Sequence, residues 1–416
     1  MTCIEFFEKD ASENICTCLT KAPDRMILIG DRMKQMQKHA ERYKKILADR
    51  GLEVEFICRT VNKNSMQNII DSLSQIIETY EDCVFDLTGG EDLYLVAMGI
   101  VFERYKDKWI QMHRFNIRNG TIIDCDQDGH TIIENESVNL SIEENIRIYG
   151  GDIVYEHVRE NSTMDWDMTD EFKKDIDAMW DICKEDVRLW NTQIGVFAAA
   201  EEIRDQTYDN LTTAASVPYI IDILDRSNGK HVTIWRILNG LLNAGLITAI
   251  ECDSDNFMVT YKNEQIKHCL TKAGQALEMK MYKAALEASE KNGSLTYNDV
   301  MTGVYIDWDG DIHTEQNEYD TENEIDVMMM HGFVPVFVSC KNGYIDIDEL
   351  YKLNAVADKF GGKYAKKVLI ATALGNNDFS EYLRQRAKDM SIRLVEGIQD
   401  MDDTELNRMV RSFWIN

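Results

Sequence analysis

The chain reads E-N-E-I-D-V-M-M-M-H-G-F-V-P-V-F-V-S-C-K-N-G from Glu322 to Gly343, and this stretch predicts two consecutive strands. The first strand carries Glu324 and Asp326 two residues apart, and the second is an apolar run that ends with Ser339 and Lys341. Side chains alternate between the two faces of a strand. We therefore expect the two acids to share one face, and Ser339 and Lys341 to share one face.

Lys341 ends an apolar strand that reads as buried, where an unpaired charge is costly. The partner that we expect is the acidic pair on the neighbouring strand, Glu324 and Asp326. Carboxylates that face a Lys across a strand pair are what a magnesium-dependent nuclease requires. The same groups also fit a structural salt bridge at the end of a sheet, and these residues alone leave both interpretations open.

The composition describes an acidic, multidomain protein. The 416 residues include 45 Lys and Arg against 73 Asp and Glu, a formal net charge of −28. This charge argues against a protein that coats nucleic acid, although a nuclease with a local basic surface stays possible. The ten Cys form no Cys-x-x-Cys pair, which is typical of reduced thiols. Reduced thiols indicate a cytoplasmic protein. Because no apolar run approaches the ~20 residues of a membrane helix, we expect no membrane partner.

Strand and helix signals alternate over the first part of the chain, which predicts an α/β domain with a parallel, doubly wound sheet. Ligands bind such sheets at the carboxyl ends of the strands, where two glycine-containing loops are predicted. Each loop opens a helix, whose N-terminus suits a phosphate or ribose. G-x-G-x-x-G and G-x-x-x-x-G-K-S/T are absent, so dinucleotide oxidoreductases and P-loop NTPases lose support, while plain turn chemistry stays an alternative. The candidate ligand residues are Gly30, Asp31, Arg32, Met33, Thr88, Gly89, Gly90 and Glu91.

The stretch from Pro218 to Leu246 predicts helix, turn and helix, and a predicted hairpin follows it. This order is that of a winged helix. A winged helix that reads DNA needs basic surfaces, whereas the predicted wing carries Glu251, Asp253 and Asp255. The acidic wing favours a structural connector over DNA binding.

The last third of the chain surrounds the opening stretch with further α/β elements. We predict one long helix over Leu270–Lys291 that carries Glu278, and a helix over Asp348–Phe360 that leads to a strand over Lys366–Thr372. Strand, helix and strand in this order predict a right-handed crossover. A run of basic residues lies near this crossover and is a candidate phosphate-binding surface: Lys359, Lys363, Lys366 and Lys367.

A helix with Glu278, a strand with Asp326 and a strand with Ser339-Cys340-Lys341 together resemble the PD-(D/E)xK nuclease core. Ser339 stands where that motif normally has an acid, so Glu324 or the main-chain carbonyl of Cys340 is needed to replace it. The segments Gly274–Glu278, Asn323–Asp326 and Ser339–Gly343, behind an N-terminal Rossmann-like domain, are similar to the ancillary nucleases of type III CRISPR systems. Those proteins join a CARF (CRISPR-associated Rossmann fold) domain to a restriction-endonuclease-like domain.

The resemblance implies three parts: a CARF ligand-sensing domain over residues 1–160, a winged-helix-like connector over 161–265 and a nuclease domain over 266–416. It implies a homodimer that binds a cyclic oligoadenylate, most simply cyclic tetra-adenylate, across its two-fold axis. The two glycine-containing loops would bind this activator, with the turn from Asp10 to Ser12 as a third wall. The implied substrates are single-stranded DNA and RNA, with nicking of duplex DNA.

The resemblance also assigns roles at the nuclease site. Asp326, Glu278 and the Cys340 carbonyl would hold Mn²⁺ or Mg²⁺, with Glu324 as a further acid. Lys341 would orient the attacking water or stabilise the transition state, and Ser339 would position a water or the scissile phosphate. The alternative is a ligand-responsive winged-helix regulator that binds DNA and whose nuclease-like domain is inactive.

Overall fold

The computed structural model describes residues 1–135, 138–155, 162–224, 232–311, 322–374 and 378–415. These residues form a mixed α/β fold with three sheets, so the predicted fold class is confirmed. The boundary predicted at 160/161 and the turn predicted at 227–229 lie outside the described residues. The boundary predicted at 265/266 falls within a helix, and the three domain ranges stay predictions.

The first sheet has seven strands in the order β3-β2-β1-β4-β5-β6-β7. The first five strands of this order are parallel, and β6 and β7 are antiparallel additions. The order reverses between β1 and β4, which is where doubly wound sheets bind ligands. The strands are β1 (Thr2–Phe6), β2 (Arg25–Gly30), β3 (Glu55–Thr60), β4 (Cys83–Asp86), β5 (Gln111–Asn116), β6 (Thr121–Cys125) and β7 (Thr131–Asn135).

Helices cover both faces of this sheet. On one face, Ile69, Leu73 and Ile76 recur at helical spacing and pack into a core of their own with the neighbouring helix. The other face belongs to a larger core that continues into the second half of the chain. The helices on the first face are α3 (Met66–Thr79) and α4 (Asp92–Arg104), and those on the second are α1 (Ala11–Lys21) and α2 (Met33–Asp49).

The predicted winged-helix order is present in the middle of the chain. Two helices precede the antiparallel hairpin, and a further strand extends it to three. The elements are α5 (Ile142–Tyr149), β8 (Asp152–Ile153), α6 (Asp170–Glu185), α7 (Val187–Glu202), β9 (Thr212–Ser216), α8 (Val217–Ile223), α9 (Trp235–Asn243), β10 (Ile247–Cys252) and β11 (Asn256–Tyr261). Helix α5 was not predicted, and strand β8 pairs with the sheet formed by the last third of the chain.

That last sheet has the order β16-β15-β14-β13-β12-β8. Strands β12 to β14 are antiparallel, whereas β14, β15 and β16 are parallel and are connected by helices, as the crossover prediction requires. The elements are α10 (Glu264–Thr271), α11 (Gln275–Glu287), β12 (Asp299–Asp307), β13 (Glu322–His331), β14 (Val334–Lys341), α12 (Ile347–Gly361), β15 (Lys366–Ala371), α13 (Asp378–Asp389), β16 (Ile392–Glu396) and α14 (Asp403–Arg411).

The single helix predicted over Leu270–Lys291 is wrong, because the chain breaks it into α10 and α11. Gly274 lies between them with a φ of +86°, a left-handed conformation that cannot continue a right-handed helix. The break places Glu278 in the first turn of α11 rather than in the middle of a long helix.

One hydrophobic core joins the two large sheets. It contains side chains of α1 and α2 under the first sheet together with side chains of α5, α12 and one face of the last sheet. Helix α12 therefore lies in a layer that both sheets share. None of the helices in the described ranges has the length and apolarity that crossing a membrane requires.

Candidate functional site

Three carboxylates meet at the edge of the last sheet. Oxygen atoms of Glu278, Glu324 and Asp326 lie within 4.8 Å of one another. Strand β13 supplies the last two from the same face, and α11 supplies the first from its opening turn. Glu278 is 5% exposed, and Glu324 and Asp326 are half-buried, so much of this negative charge is shielded from water.

Strand β14 holds Asp326 in place. The Ser339 hydroxyl donates a hydrogen bond of 3.1 Å to Asp326 Oδ2, and the Cys340 N–H donates one of 2.6 Å to the same oxygen. The register that pairs Val327 with Val338 brings these groups together. Ser339 thus serves Asp326 as a hydrogen-bond donor. The Cys340 side chain is buried in the hydrophobic core on the other face of this sheet. The predicted role of its main-chain carbonyl as a metal ligand stays a prediction.

Lys341 lies at the same edge and pairs with a residue that the sequence did not single out. Its Nζ is 2.9 Å from Glu349 Oε2, and the other oxygen of Glu349 is 3.3 Å from Lys352 Nζ. Burial lowers the pKa of Lys341, but the charges of Asp326 and Glu349 outweigh it, so the pKa is raised overall. Lys341 therefore stays protonated at neutral pH.

Burial and the nearby charge of Asp326 together raise the pKa of Glu278 to about 8, against the opposing effect of Lys272. Burial likewise raises the pKa of Asp326, although Lys341 and the Cys340 N–H oppose this. Among the described residues, none donates a hydrogen bond to the buried Oε2 of Glu278. The carboxylates of Glu278, Glu324 and Asp326 thus repel one another, and the nearby lysines compensate their negative charge only in part.

This donor set fits a hard divalent cation. Mg²⁺ and Mn²⁺ prefer carboxylate oxygens, and the site offers three such groups with one oxygen that lacks a hydrogen-bond partner within the described ranges. Glu278, Glu324 and Asp326 are the residues that could hold the ion. Glu324 is placed to supply the carboxylate that is missing at position 339.

A cavity of about 270 Å³ opens beside the acids. Its wall includes both lysines of the Glu349 ion pairs and the hydroxyl of Ser339, so cations and carboxylates face one space. The polar residues that line it are Glu322, Asn323, Glu324, Asp326, Ser339, Lys341, Glu349 and Lys352.

Two further charged residues lie beside the acids and were not predicted from the sequence. Lys272, in the loop before α11, pairs with Glu324 and lies near the ring of Tyr305. Glu349 lies in the first turn of α12, a position where acidic residues are common in any helix. Neither carries a motif, because their positions depend on how α11 and α12 pack against the sheet.

The predicted ligand loops of the first sheet lie at one edge. Lys63, from the loop after β3, links them through Asp31 at 3.8 Å and Glu91 at 3.3 Å. The Gly90 N–H donates a 2.6 Å hydrogen bond to Glu8 Oε1, which connects the loop after β4 to the loop after β1. Neither Glu8 nor Lys63 belongs to a motif, so these contacts were not predictable from the sequence.

Other residues of this prediction have structural partners. Thr88 Oγ1 accepts a 2.9 Å hydrogen bond from the Phe115 N–H, and the Thr88 side chain also hydrogen-bonds to the Asp86 carboxylate, so both contacts fix the loop. Ser12 Oγ donates to Asp10 Oδ1 at 2.7 Å, and Asp10 Oδ2 accepts from the Lys363 N–H at 2.9 Å. The turn from Asp10 to Ser12 is thus engaged with the second half of the chain, and its role as a ligand wall stays a prediction.

The predicted basic surface does not lie beside the acids. Lys366 starts β15 and pairs in register with Val336, five residues before Lys341, so about 16 Å of strand separates it from the site. Lys363 pairs with Glu13 and Lys367 with Asp358. These lysines follow Lys341 closely in sequence but lie away from it in the sheet, because β14 and β15 run parallel. Their role as a phosphate-binding surface stays a prediction.

Solved structures with the same fold exist, although sequence comparison finds no relative. No protein-family model matches this chain, and no curated protein sequence matches it. Protein VC1899 from Vibrio cholerae is 17% identical with a TM-score of 0.72, over 99% of this chain and 97% of that chain. Can2 from Sulfobacillus thermosulfidooxidans, solved in complex with cyclic tetra-adenylate, is 14% identical with a TM-score of 0.66, over 98% of this chain and 99% of that chain. At these identities the likeness establishes the fold and assigns no residue a role.

Proposed function

We propose that this protein is a cytoplasmic, metal-dependent endonuclease of type III CRISPR antiviral defence, activated by cyclic tetra-adenylate. The observation that carries the proposal is the meeting of Glu278, Glu324 and Asp326, the last two of which line one cavity together with Lys341. Acids alone are common on surfaces without any function. Buried acids that repel one another, next to a protonated Lys, are the arrangement that phosphodiester hydrolysis requires.

The residues of the site have different chemical roles in this proposal. A bound Mg²⁺ or Mn²⁺ supplies Lewis-acid polarisation of the phosphate and lowers the pKa of water. Lys341 Nζ remains charged and stabilises negative charge that develops on the phosphate oxygens. Ser339 and the Cys340 N–H fix the Asp326 carboxylate, which removes the cost of ordering it during the reaction.

The proposed activator site is the edge of the first sheet where β1 and β4 diverge. Can2 has this fold over almost its whole length and was solved with cyclic tetra-adenylate. In the present chain, Arg32 and Lys63 provide exposed or half-exposed cations at that edge, and α4 begins directly after the Thr88–Glu91 loop. Cations and helix N-termini are suited to phosphate groups.

We propose a homodimer whose two-fold axis passes near the start of α4. Leu93, Leu95 and Val96 are 40%, 37% and 52% exposed, respectively, although all three are apolar. They directly follow the Thr88–Glu91 loop, so a second copy packed there would bring two such loops together. A ring with two-fold symmetry suits a site formed in this way.

The proposed substrates are single-stranded DNA and RNA, with nicking of duplex DNA. A net charge of −28 disfavours long contacts with nucleic acid, so binding must depend on the local cations Lys341 and Lys352 and on the bound metal. The alternative, a DNA-binding regulator, is less well supported. Arg236 of α9 is paired with Glu185, and the wing beside it is acidic.

The test is cleavage of labelled single-stranded DNA and RNA by the purified protein. We expect cleavage with Mn²⁺ and cyclic tetra-adenylate together, and little without either. Absence of cleavage under all conditions would contradict the nuclease proposal. Equal cleavage with and without the cyclic nucleotide would contradict activation while leaving the nuclease site in place.

A further inference from the structure

Helix α12 touches the nuclease site with its first turn. Glu349 Oε2 forms an ion pair with Lys341 Nζ at 2.9 Å, and Glu349 Oε1 forms a second ion pair with Lys352 Nζ at 3.3 Å. The helix is well anchored there, because the side chain of Asp346 caps it by accepting a hydrogen bond from the Asp348 N–H. A flexible Lys side chain gains a fixed position from such a partner, so the placement of α12 determines where the Lys341 ammonium lies.

The other end of α12 is held by the first half of the chain. Asp10 Oδ2 accepts a 2.9 Å hydrogen bond from the Lys363 N–H. Glu13, which is only 2% exposed, accepts from Lys363 Nζ at 2.8 Å and from the Tyr364 hydroxyl at 2.7 Å. These three bonds attach the start of α1 to the turn that directly follows α12.

Gly362 makes this attachment possible. Its φ is +53°, and a Cβ atom built on it would lie 2.2 Å from Asp10 Oδ2. Any larger residue therefore meets both an unfavourable backbone conformation and the Asp10 carboxylate. The close approach of the two segments at this point depends on the missing side chain.

The loop that holds α12 also contacts the proposed activator edge. Glu8 Oε1 accepts a hydrogen bond from the Gly90 N–H at 2.6 Å, only two residues before Asp10. The loop is internally braced, since the Glu8 N–H donates to Asn14 Oδ1 at 2.7 Å and Asn14 Nδ2 donates to the carbonyls of Glu8 and Asp10. The Thr88–Glu91 loop is thus connected to Asp10 through one continuous set of hydrogen bonds.

We propose that Glu349 is a positioning residue for Lys341, and that α12 couples the loop between β1 and α1 to that ion pair. The inference rests on the proposed function and assigns the regulation of its site to named contacts. The helix has 15 residues, about 22 Å, and its buried face is packed in the core that both sheets share. A packed helix of this kind moves as a unit, so a shift at Gly362 reaches Glu349.

The first arm of the test changes the ion pair. Glu349→Gln keeps the shape of the side chain and removes its charge, and Asp358→Asn makes the same change at an exposed position of the same helix. With Mn²⁺, cyclic tetra-adenylate and single-stranded DNA, we expect Glu349→Gln to lower kcat roughly ten- to hundredfold with little change in KM. Asp358→Asn should retain wild-type kinetics. Equal kinetics for both variants would show that Glu349 does not position Lys341.

The second arm changes the attachment of α12. Gly362→Ala introduces the clash with Asp10, and Gly293→Ala is its control, because Gly293 also has a positive φ but has no atom within 4 Å of the added Cβ. We expect Gly362→Ala to reduce the stimulation by cyclic tetra-adenylate at least ~5-fold, with calorimetric binding of the nucleotide retained. Thermal unfolding verifies that both variants are folded.

The outcomes separate the two proposals. A wild-type protein that cleaves, together with a Gly362→Ala variant that is stimulated as strongly as Gly293→Ala, overturns the coupling alone. A wild-type protein that never cleaves overturns the proposed function and the inference that rests on it. Loss of stimulation in Gly362→Ala with retained nucleotide binding supports the coupling.

Discussion

Among single residues, Asp326 and Glu324 have different surroundings on the same strand face. Asp326 receives two hydrogen bonds from β14, whereas Glu324 pairs with Lys272. The motif that the sequence resembles has an acid at position 339. The structure instead offers Glu324 as the third carboxylate and uses Ser339 to orient Asp326.

The different roles of Glu324 and Ser339 predict that their substitutions affect metal binding differently. We expect Glu324→Gln to weaken Mn²⁺ binding, measured by calorimetry without substrate, by at least about tenfold, because a carboxylate ligand is lost. Ser339→Ala should weaken it much less and cost about 1 kcal/mol of stability, since only a hydrogen bond to Asp326 is lost. The opposite ranking of the two variants would contradict the assignment of Glu324.

The raised pKa of Glu278 predicts that the stability of the metal-free protein depends on pH. Burial raises its pKa from 4.5 to about 8 in the folded protein. The unfolded protein therefore ionises first, and the stability that the protonated group contributes is lost as the pH rises from about 4.5 to about 8. Unfolding by denaturant in a chelator should show stability falling across this range, by up to about 1.4 kcal/mol per pH unit from this group.

The variant Glu278→Gln isolates this effect, because its amide does not titrate. It should be more stable than the wild type at pH 8 and should flatten the dependence between pH 5 and 8. If wild type and variant lose stability in parallel over this range, Glu278 does not have the raised pKa. Glu349→Gln is a suitable control, because its pKa is lowered by Lys341 and Lys352 despite burial, which places its titration below this range.

Among elements, the start of α11 determines where Glu278 lies. Gly274 has a φ of +86°, and a Cβ on it would lie 3.1 Å from Glu278 Oε1. Gly274→Ala should cost about 1–2 kcal/mol of stability from the left-handed backbone and weaken Mn²⁺ binding as well. Gly245→Ala is the control, because Gly245 has a φ of +70° with nothing within 4 Å, and it should lose stability alone. Equal metal affinities for both variants would contradict the link between this turn and the site.

The sequence predicted β13, β14 and α12 well because their signals are local. Alternation placed Glu324 and Asp326 on one face, and apolar spacing marked the helix after Lys341. The break before α11 was missed, since Gly274 inside a helical pattern is tolerated as often as it ends a helix. The ion pair of Lys341 with Glu349 was missed as well, because it depends on the packing of α12 against the sheet.

For the whole molecule, the alternation of strand and helix signals predicted the α/β class. The shared core between the two sheets was not predictable, because it depends on contacts between residues more than 200 positions apart, such as the Asn145 side chain and the Phe360 carbonyl. The distance between the predicted lysine surface and the acids was not predictable for the same reason. Lys341 ends β14 and Lys366 begins β15, so the two residues lie at opposite ends of this parallel strand pair although they are close in sequence.

The proposed assembly gives a prediction at this scale. Sedimentation of the wild type should give twice the chain mass of 48.0 kDa. Val96→Asp places a charge on the exposed face of α4 and should give a folded monomer with weakened binding of cyclic tetra-adenylate. Ile133→Asp, at an exposed position of β7, should remain dimeric. A Val96→Asp dimer would place the interface elsewhere.

The most direct test of the central claim compares cleavage rates of Lys341→Ala and Lys388→Ala on single-stranded DNA with Mn²⁺ and cyclic tetra-adenylate. Lys341 lines the cavity beside the acids, whereas Lys388 is an exposed residue of α13. We expect Lys341→Ala to lose at least about a hundredfold in rate while binding the cyclic nucleotide normally, because charge stabilisation at the phosphate is lost. Lys388→Ala should cleave as the wild type does. Cleavage by Lys341→Ala at the wild-type rate would contradict the account.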